Sequence, residues 1–377
     1  AGGRVGIHCR WRYSYGGTFY DHGGQGNRNG APAGTIYKEE NLRPLQYREL
    51  KYRKNRNTTY LAVDHTYLHI DNAGHDVPGA TLLMEEYTSE YEFDELELTG
   101  MSRLVVYHPD NVTNITVIAH RFIGDGTGQF HIRKDQKIYV EYIESENNRT
   151  EAPCSYRIDK FGELVLPYEF HVHGVRTEIH GLVTGIHHFF VEDTGRVRFS
   201  STAQTALLEN RTYIDVTKPG NISFANIVVK KGGIFDILRK HDIPIQVASS
   251  LFEIKYEGKV LMNHGVLYTS VGDLETNGQL ILDGRGWESS TGIGKGYRHG
   301  DYGTGGGHGG RGGTNGGNQG QAYDSVFTPL MLGSGGGTGR YGAGGKGGGS
   351  LRWQAQDHLH LWGWSRRTCR DTLQVAV

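Results

Sequence analysis

Short runs of alternating apolar and polar residues dominate the pattern along the chain. In Lys137–Val140 and Arg196–Phe199 every second residue is apolar. A period of two predicts β-strands that bury one face. Further short runs of this kind are Leu96–Gly100, Arg103–Tyr107, Glu163–Leu166, Asn226–Val229, Phe252–Tyr256 and Gln279–Leu282. Only Leu42–Tyr52 and Gly233–Lys240 offer stretches suited to a helix, so the sequence predicts an all-β chain.

The spacing of turns between these runs favours one kind of β architecture. Between Val172 and Phe199 a Gly or Asp turn follows every five to eight residues, which is closer than the spacing typical of sandwich strands. Short strands joined by tight corners are typical of a parallel β-helix, in which coils of about 20–25 residues stack on one another. The sequence therefore predicts a parallel β-helix, or β-solenoid, over residues 80–283. Tandem β-sandwiches remain the alternative.

Glycine is concentrated in one segment, Gly284–Gly349, which holds 28 of the 57 glycines. A flexible linker is one interpretation, since glycine-rich chains behave as random coils when nothing packs on them. Collagen is excluded, because it needs glycine at every third position and abundant proline. Single His, Arg, Thr and Lys residues between the glycines, and the apolar island Ala322–Leu332, favour a third interpretation. Extended chains without Cβ atoms would pack closely in an ordered segment.

Two sets of glycine-rich motifs lie at the two ends of the chain. The first unit consists of Gly2–Ile7, Gly16–Gly26 and Ala33–Lys38. The motifs of the second unit are Leu280–Gly286, Gly305–Gly313, Gln321–Ser325, Pro329, Leu332–Gly337 and Gly344–Leu351. Both sets resemble units of large glycine-rich extracellular proteins found in bacteria, protists and animals. The resemblance implies a repetitive β-helical surface or matrix protein rather than an activity. This chain departs from the pattern at Asp324, where glycine is usual, and at Ser365–Cys369, where the glycines are lost.

The order of units in the resembling proteins suggests how copies of the chain could join. There the unit that ends this chain is commonly followed by the unit that begins it. This order implies head-to-tail assembly, and a contact that does not close on itself generates a filament. The residues expected at the joint are Gly2, Gly3, Val5, Tyr323, Phe327, Leu330 and Leu332.

Four regions are expected from these patterns. Residues 1–79 form an N-terminal glycine-rich strand unit, and residues 80–283 form the central β-solenoid. Residues 284–350 form the ordered glycine-rich segment, and residues 351–377 form a C-terminal strand and tail.

Glycosylation sequons indicate a secreted protein. Six Asn-x-Ser/Thr sequons without a central proline occur, at Asn57, Asn111, Asn114, Asn148, Asn210 and Asn221. Such sequons accept N-linked glycans in secreted proteins. The three cysteines, Cys9, Cys154 and Cys369, are too few for a disulfide framework, and one must stay free or pair between chains.

Net charge and hydropathy exclude two classes of partner. The chain carries 40 basic and 41 acidic residues for a net charge of −1, so no overall field attracts nucleic acid. No apolar run approaches the roughly 20 residues of a membrane helix.

Candidate chemistry is sparse, and no cofactor, metal site or catalytic residue is expected. The pairs His171/His173 and His358/His360, together with His187-His188, have spacings that suit metal ligation, but no further ligand completes a shell, and histidines that are solvated or stacked along the ladder on the coil exterior are favoured. Seven acidic residues between Glu85 and Glu97 lack a calcium-loop spacing. The carboxylates Asp193, Asp215 and Asp236, considered for sugar cleavage, are scattered along the chain.

Aromatic residues supply the alternative function. The chain has 22 tyrosines, and its tryptophans are Trp11, Trp287, Trp353, Trp362 and Trp364. Exposed aromatic rings can stack on sugar rings. The sequence thus predicts a secreted structural glycoprotein that is not an enzyme and assembles end to end with copies of itself. A carbohydrate-binding or adhesive module with an extracellular polysaccharide as partner is the alternative, and a β-helical polysaccharide lyase or hydrolase ranks below it.

Overall fold

A computed structural model of the chain contains β-strands and no helix in the residues that it describes. Those residues are 4–9, 35–42, 63–74, 80–83, 89–106, 115–140, 152–200, 203–206, 208–209, 212–213, 221–238, 244–314, 316–325, 329–362 and 369–376. The chain divides into two compact units, residues 1–167 and 168–377. The four regions expected from the sequence stay predictions.

Unit 1 (residues 1–167) is built from two sheets of mostly parallel strands. Its strands are β1 (Arg4–Cys9), β2 (Thr35–Leu42), β3 (Val63–Asp71), β4 (Thr81–Leu83), β5 (Glu90–Thr99), β6 (Arg103–Val106), β7 (Ile115–Gly124), β8 (Gln129–Ile132), β9 (Gln136–Val140), β10 (Ser155–Ile158) and β11 (Glu163–Val165). One sheet has the order β1-β2-β3-β5-β7-β9-β11 and the other the order β4-β6-β8-β10. Only β2 and β3 pair antiparallel among these neighbours.

Unit 2 (residues 168–377) repeats this design with three sheets. Its strands are β12 (Glu169–His173), β13 (Arg176–Ile179), β14 (Leu182–Thr184), β15 (His188–Glu192), β16 (Arg196–Ser200), β17 (Gln204–Ala206), β18 (Leu208–Glu209), β19 (Thr212–Tyr213), β20 (Asn221–Val229), β21 (Ile234–Leu238), β22 (Ile245–Ile254), β23 (Lys259–Met262), β24 (His264–Leu274), β25 (Gln279–Ile281), β26 (Arg298–His299), β27 (Tyr302–Gly303), β28 (Ser350–Leu361) and β29 (Cys369–Ala376). The sheet orders are β12-β15-β20-β22-β24-β28-β29, β13-β16-β21-β23-β25 and β14-β17. Strand β29 runs antiparallel to β28, and the hairpins β18/β19 and β26/β27 are separate.

The pairing confirms the predicted all-β class and is consistent with a parallel β-helix. Strands from successive stretches of chain stack in register: Gln129 of β8 pairs with Ser155 of β10, and Arg176 of β13 with Arg196 of β16. These steps of 26 and 20 residues are close to the expected coil length. Tandem β-sandwiches are wrong for this chain, because sandwich sheets are antiparallel.

A repeated corner joins one strand to the next in unit 2. Four corners end on Gly195, Gly233, Gly258 and Gly278, and each glycine N–H donates to the carbonyl three residues earlier. The residue before each glycine has positive φ, as in Thr194 with φ 66°. A Cβ on any of these glycines would collide with a carbonyl from a preceding coil; at Gly233 the obstacle is the carbonyl of Val191. These positions therefore require glycine, because only glycine lets the coils approach so closely.

Aromatic side chains fill the interior of each unit. In unit 2 the rings of Phe189 and Phe224 stack with centroids 5.0 Å apart, and Phe235 meets Phe252 edge-on at 6.0 Å. In unit 1 the ring of Phe122 contacts Phe130 and Tyr156. All of these rings are buried. Edge-on and offset ring pairs contribute about 0.5–1.5 kcal/mol beyond the area that they bury.

Gly233–Lys240, one of the two stretches suited to a helix, contains a strand, as the all-β prediction requires: Ile234–Leu238 form β21 in the middle of a sheet. Its three central residues, Phe235, Asp236 and Ile237, are all buried. Burial of both faces removes the alternation that normally identifies a strand. The other candidate, Leu42–Tyr52, begins at the last residue of β2, and its remainder lies outside the described residues.

The glycine-rich segment is an insertion in unit 2 between β25 and β28. The chain leaves after Leu282, and on its return Gly349 N donates to Leu282 O at 2.7 Å while Ser350 N donates to Asn263 O at 2.8 Å. Beyond this point β28 continues the sheet beside β24. The ring of Trp353 on β28 meets Phe252 at 5.5 Å, so the core continues across the insertion.

Backbone hydrogen bonds hold the glycine-rich segment together. The stretch 333–337 bonds to four other stretches: Trp287 N donates to Gly333 O, Gly333 N to Gly348 O, Gly296 N to Gly335 O and Gly337 N to Thr304 O, at 2.7–3.0 Å. A β-strand in a sheet has only two neighbours, whereas this stretch lies at the centre of a bundle. Such packing is possible because glycine has no side chain to separate the backbones.

We expect Gly347→Ala to lower the free energy of unfolding by about 3 kcal/mol, at the upper end of overpacking costs. An added Cβ at Gly347 would overlap the carbonyl of Gly333. Gly345→Ala is the matched control, since a Cβ at that position meets nothing within 4 Å. Urea titration followed by tryptophan fluorescence measures both variants. Equal stability of the two would show that the segment is not close-packed.

Candidate functional site

A buried carboxylate fastens the glycine-rich segment to the sheet beneath it. Asp236 of β21 has no exposed surface and receives hydrogen bonds from three arginines: Arg196 at 2.6 Å, Arg198 at 3.0 Å and Arg285 at 2.9 Å. Arg196 and Arg198 lie two residues apart on β16, so the pleat places both on the same face. Arg285 comes from the start of the inserted segment and also donates to Asn263 at 3.1 Å.

The electrostatics of this cluster keep Asp236 ionised. Burial alone would oppose its charge, but hydrogen bonds from Arg196 and Arg198 and the charge of Arg285 outweigh burial and lower the pKa of Asp236. A carboxylate enclosed by three guanidinium groups is a structural anchor, because its lone pairs are already engaged. Asp236 is therefore not free for the sugar chemistry considered from the sequence. Asp193 lies in an exposed corner and contacts His173 at 3.2 Å, and Asp215 lies outside the described residues.

Asp324 organises the loop that contains the apolar island. Its φ of 73° is left-handed, a conformation that favours glycine and that aspartate also adopts. Its Oδ2 accepts hydrogen bonds from the backbone N–H groups of Leu330 and Met331 and contacts His308 Nε2 at 3.1 Å. Burial opposes the charge of Asp324, but these bonds and the Ser325 N–H lower its pKa. The aspartate thus closes a loop that glycine could not close.

The residues predicted for an assembly joint occupy different environments. Leu332 is buried and its carbonyl accepts a hydrogen bond from the Tyr323 hydroxyl, which also receives one from Ser334. Leu330 and Met331 are exposed. The island is therefore buried only in part among the residues that the structure describes. Val5 lies in β1, while Gly2, Gly3 and Phe327 lie outside the described residues.

His171 is buried in an ion cluster, so of the two environments expected for it, solvated or ladder-stacked, only the stacked one fits this residue. Its Nδ1 and Nε2 lie 2.7 Å from carboxylate oxygens of Glu192 and Glu169, respectively. Lys230 Nζ lies 2.9 Å from the second oxygen of Glu192. The ring of Phe190 stacks on His171 at 4.3 Å and lies 4.9 Å from Lys230 Nζ.

The pKa values of His171 and Glu192 shift in opposite directions. Burial disfavours charge on His171, but hydrogen bonds to Glu192 and Glu169 outweigh it and raise the pKa of His171. The hydrogen bond from His171, helped by Lys230 against burial, lowers the pKa of Glu192 to about 2. The cluster is thus a charged network of satisfied groups. The spacing of His171 and His173 gave no indication of it, because Glu192 ends β15 and Lys230 directly follows β20.

The other histidines and acidic residues make pairwise contacts. His187 stacks on Tyr168, and His358 contacts His360 edge-on. In the acidic run, Glu95 pairs with Arg121 and Glu92 with His120 across strands β5 and β7. Among the residues that the structure describes, no group of three His, Cys, Asp or Glu side chains is arranged to hold a metal.

Exposed tyrosines concentrate on the glycine-rich segment. Tyr341 is 84 % exposed, Tyr302 63 % and Tyr297 40 %. Arg340 N donates to Asp301 O at 2.9 Å, which holds the loop of Tyr341 against the hairpin of Tyr302. We call Lys295–Gly303 and Thr338–Ala343 together the tyrosine tip.

The remaining predicted residues include the sequons and cysteines. Asn221 is the first residue of β20, and the other five sequon asparagines, Asn57, Asn111, Asn114, Asn148 and Asn210, lie outside the described residues. Cys154 is a buried free thiol, and burial strongly raises its pKa, so it is a poor nucleophile. Cys9 lies in β1 and Cys369 in β29.

The fold and these clusters define an all-β protein of stacked parallel strands that carries an ordered glycine-rich insertion. No protein-family model, curated protein or solved structure matches the chain. In the described part of the chain, no helix is long and apolar enough to cross a membrane.

We expect Asp236→Asn to reduce the free energy of unfolding by about 3 kcal/mol at pH 7, since it leaves three half-buried guanidinium groups without the carboxylate that neutralises them. The pKa of Asp236 is lowered in the folded protein, so its contribution is present above pH 3.8 and is lost as the pH falls further. Asp357→Asn, at an exposed position of β28, is the control and should change stability by less than about 0.5 kcal/mol. Denaturant titrations at several pH values measure both. If Asp357→Asn lowered the free energy of unfolding as much as Asp236→Asn does, the role of Asp236 as a structural anchor would be contradicted.

We expect His171→Gln to destabilise the protein by about 2 kcal/mol near pH 5.5, the scale of hydrogen bonds to charged groups. The raised pKa of His171 gives stability that is present below pH 6.5 and lost as the pH rises through the folded pKa. The lowered pKa of Glu192 gives stability that is present above pH 4.5 and lost towards pH 2. The difference between wild type and variant should therefore be largest between these limits.

His173→Gln is the control for this experiment, because His173 lies at the end of the same strand and is exposed. The free energy of unfolding of the His173→Gln variant should match that of the wild type at every pH. A pH-independent effect of His171→Gln would show that only packing is lost.

Proposed function

We propose that this chain is a secreted structural glycoprotein that assembles end to end into an extracellular filament or matrix. The observation that carries the proposal is the position of two strands. Among the described strands, β1 ends its sheet within unit 1, and β29 ends the sheet that begins with β12 within unit 2. A strand at the end of a sheet offers backbone groups to a further strand.

The two ends differ, which favours a chain of copies over a closed dimer. Strand β1 has six residues and pairs parallel with β2, whereas β29 has eight residues and pairs antiparallel with β28. A contact between two different surfaces is heterologous, and repetition of such a contact produces a filament unless the ring closes. Val5 in β1, and the exposed Leu330 on the island, would contribute to this joint.

The sequons support the extracellular part of the proposal. Six of them occur in a chain with three cysteines, so stability at the cell surface would come from stacked strands rather than disulfides. N-linked glycans on Asn57, Asn111, Asn114, Asn148, Asn210 and Asn221 would be the covalent partners of the chain.

Carbohydrate binding is the second candidate, and the tyrosine tip favours it. An exposed ring on a rigid backbone can stack on a sugar without a further ordering cost. A matrix protein could combine both roles, with copies joined through edge strands and polysaccharide held at the tip.

We expect the sedimentation coefficient to rise with protein concentration and negative-stain micrographs to show filaments. A peptide with the sequence of residues 4–9, with serine in place of Cys9, should compete for the strand edge and shorten the filaments. A scrambled peptide of the same composition is the control. A single monomeric species at all concentrations would refute the proposal of assembly.

A further inference from the structure

The tyrosine tip is fixed in shape by buried polar contacts. Thr304 is buried, and its hydroxyl accepts a hydrogen bond from Tyr297 N at 2.8 Å and donates to Asn318 O at 2.7 Å. Gly337 N donates to Thr304 O at 2.7 Å, which ties the base of the tip to the central stretch of the bundle. The exposed rings therefore project from a backbone that is already ordered.

The tip carries more positive than negative charge. Its charged residues are Lys295, Arg298, Asp301 and Arg340, so three cations face one carboxylate. Asp301 lies 3.6 Å from Arg340 and offsets part of that charge. Arg298 uses its Nε to bond Gly300 O at 3.2 Å, which leaves the two terminal nitrogens of its guanidinium for a ligand.

The cations lie beside the aromatic rings. The guanidinium carbon of Arg340 is 5.7 Å from the centroid of the Tyr341 ring, and Lys295 Nζ is 5.8 Å from that of Tyr297. Both distances are within the range of cation–π attraction. Each pair presents a flat apolar ring with a charged donor next to it.

We propose that the tyrosine tip binds an acidic polysaccharide, with tyrosine rings stacked on pyranose rings and Arg298 and Arg340 paired with their carboxylates. Tyrosine provides a ring face for the apolar side of a sugar, and guanidinium groups bind carboxylates in a bidentate manner. A single-stranded nucleic acid would also meet rings and cations, but proteins that bind one combine such rings with a basic groove that follows the phosphate backbone, whereas the tip carries only three cations and one carboxylate. The proposal rests on the second candidate function and names its ligand class.

Calorimetric titration of the full chain tests the proposal. The probes are polygalacturonate, its fully methyl-esterified form, neutral dextran and single-stranded oligothymidylate. We expect polygalacturonate to bind, and methyl esterification to weaken binding at least tenfold because it removes the carboxylate charge. Absence of binding to polygalacturonate, or equal affinity for its esterified form, would overturn the proposal. Equal or tighter binding of the oligonucleotide would overturn it as well.

Variants separate ring stacking from charge. Tyr302→Ala/Tyr341→Ala and Arg298→Gln/Arg340→Gln should each weaken polygalacturonate binding about tenfold or more, since the first removes the ring faces for the sugars and the second removes the cations that pair with the carboxylates. Tyr256→Ala, which removes an exposed tyrosine from the corner Lys255–Gly258, should leave binding unchanged. Unchanged binding in both tip variants would overturn the proposal.

Sedimentation of the same samples distinguishes this inference from the proposed assembly. Tip variants that still form filaments but lose polysaccharide support a binding site separate from the joint. If the wild type forms filaments but does not bind polysaccharide, only the proposed binding at the tip is refuted.

Discussion

The structure depends on close approach of backbone to backbone at positions that have no Cβ. In the corners of unit 2, Gly195 and Gly233 lie against carbonyl groups of preceding coils. In the inserted segment, Gly286 and Gly347 lie against backbone atoms of neighbouring stretches. The two regions look different in sequence, since one has isolated glycines and the other has clusters. They meet the same requirement, because strands about 4.8 Å apart leave no room for a side chain that points along the stack.

The strands were predictable wherever one face meets solvent. Arg196–Ser200 alternate between buried and half-exposed residues, and the alternation in the sequence located this strand. Ile234–Leu238 lack this alternation because arginines cover the outer face of β21 and bury Asp236. The burial of His171 was hidden for the same reason, since Glu192 and Phe190 cover it. In both places a second layer of side chains hides the outer face, whereas an alternating pattern indicates a face exposed to solvent.

Partners across strands could not be found from the sequence, because the step between coils varies. Arg176 pairs with Arg196, whereas Arg196 pairs with Ile234, 38 residues later. The longer step includes the hairpin β18/β19, so no fixed period places Arg198 beside Asp236.

The tyrosine tip could not be predicted from the sequence for a different reason. Its residues are separated by more than 30 positions, and the hydrogen bond between Arg340 and Asp301 becomes evident only when the path of the glycine-rich backbone is known.

Order in the glycine-rich segment must be supplied by its surroundings. Fixing a residue costs about 1–2 kcal/mol of backbone entropy, and glycine loses the most. Each backbone hydrogen bond returns only about 1 kcal/mol net, so a bundle of glycine backbones gains little on its own. Two attachments tie the segment to the strands of unit 2: the return of the chain beside Leu282, and the bond of Arg285 to the buried Asp236. The exposed tyrosines therefore project from a segment whose base is fixed to a carboxylate in the sheet, and the stacked strands support its backbone.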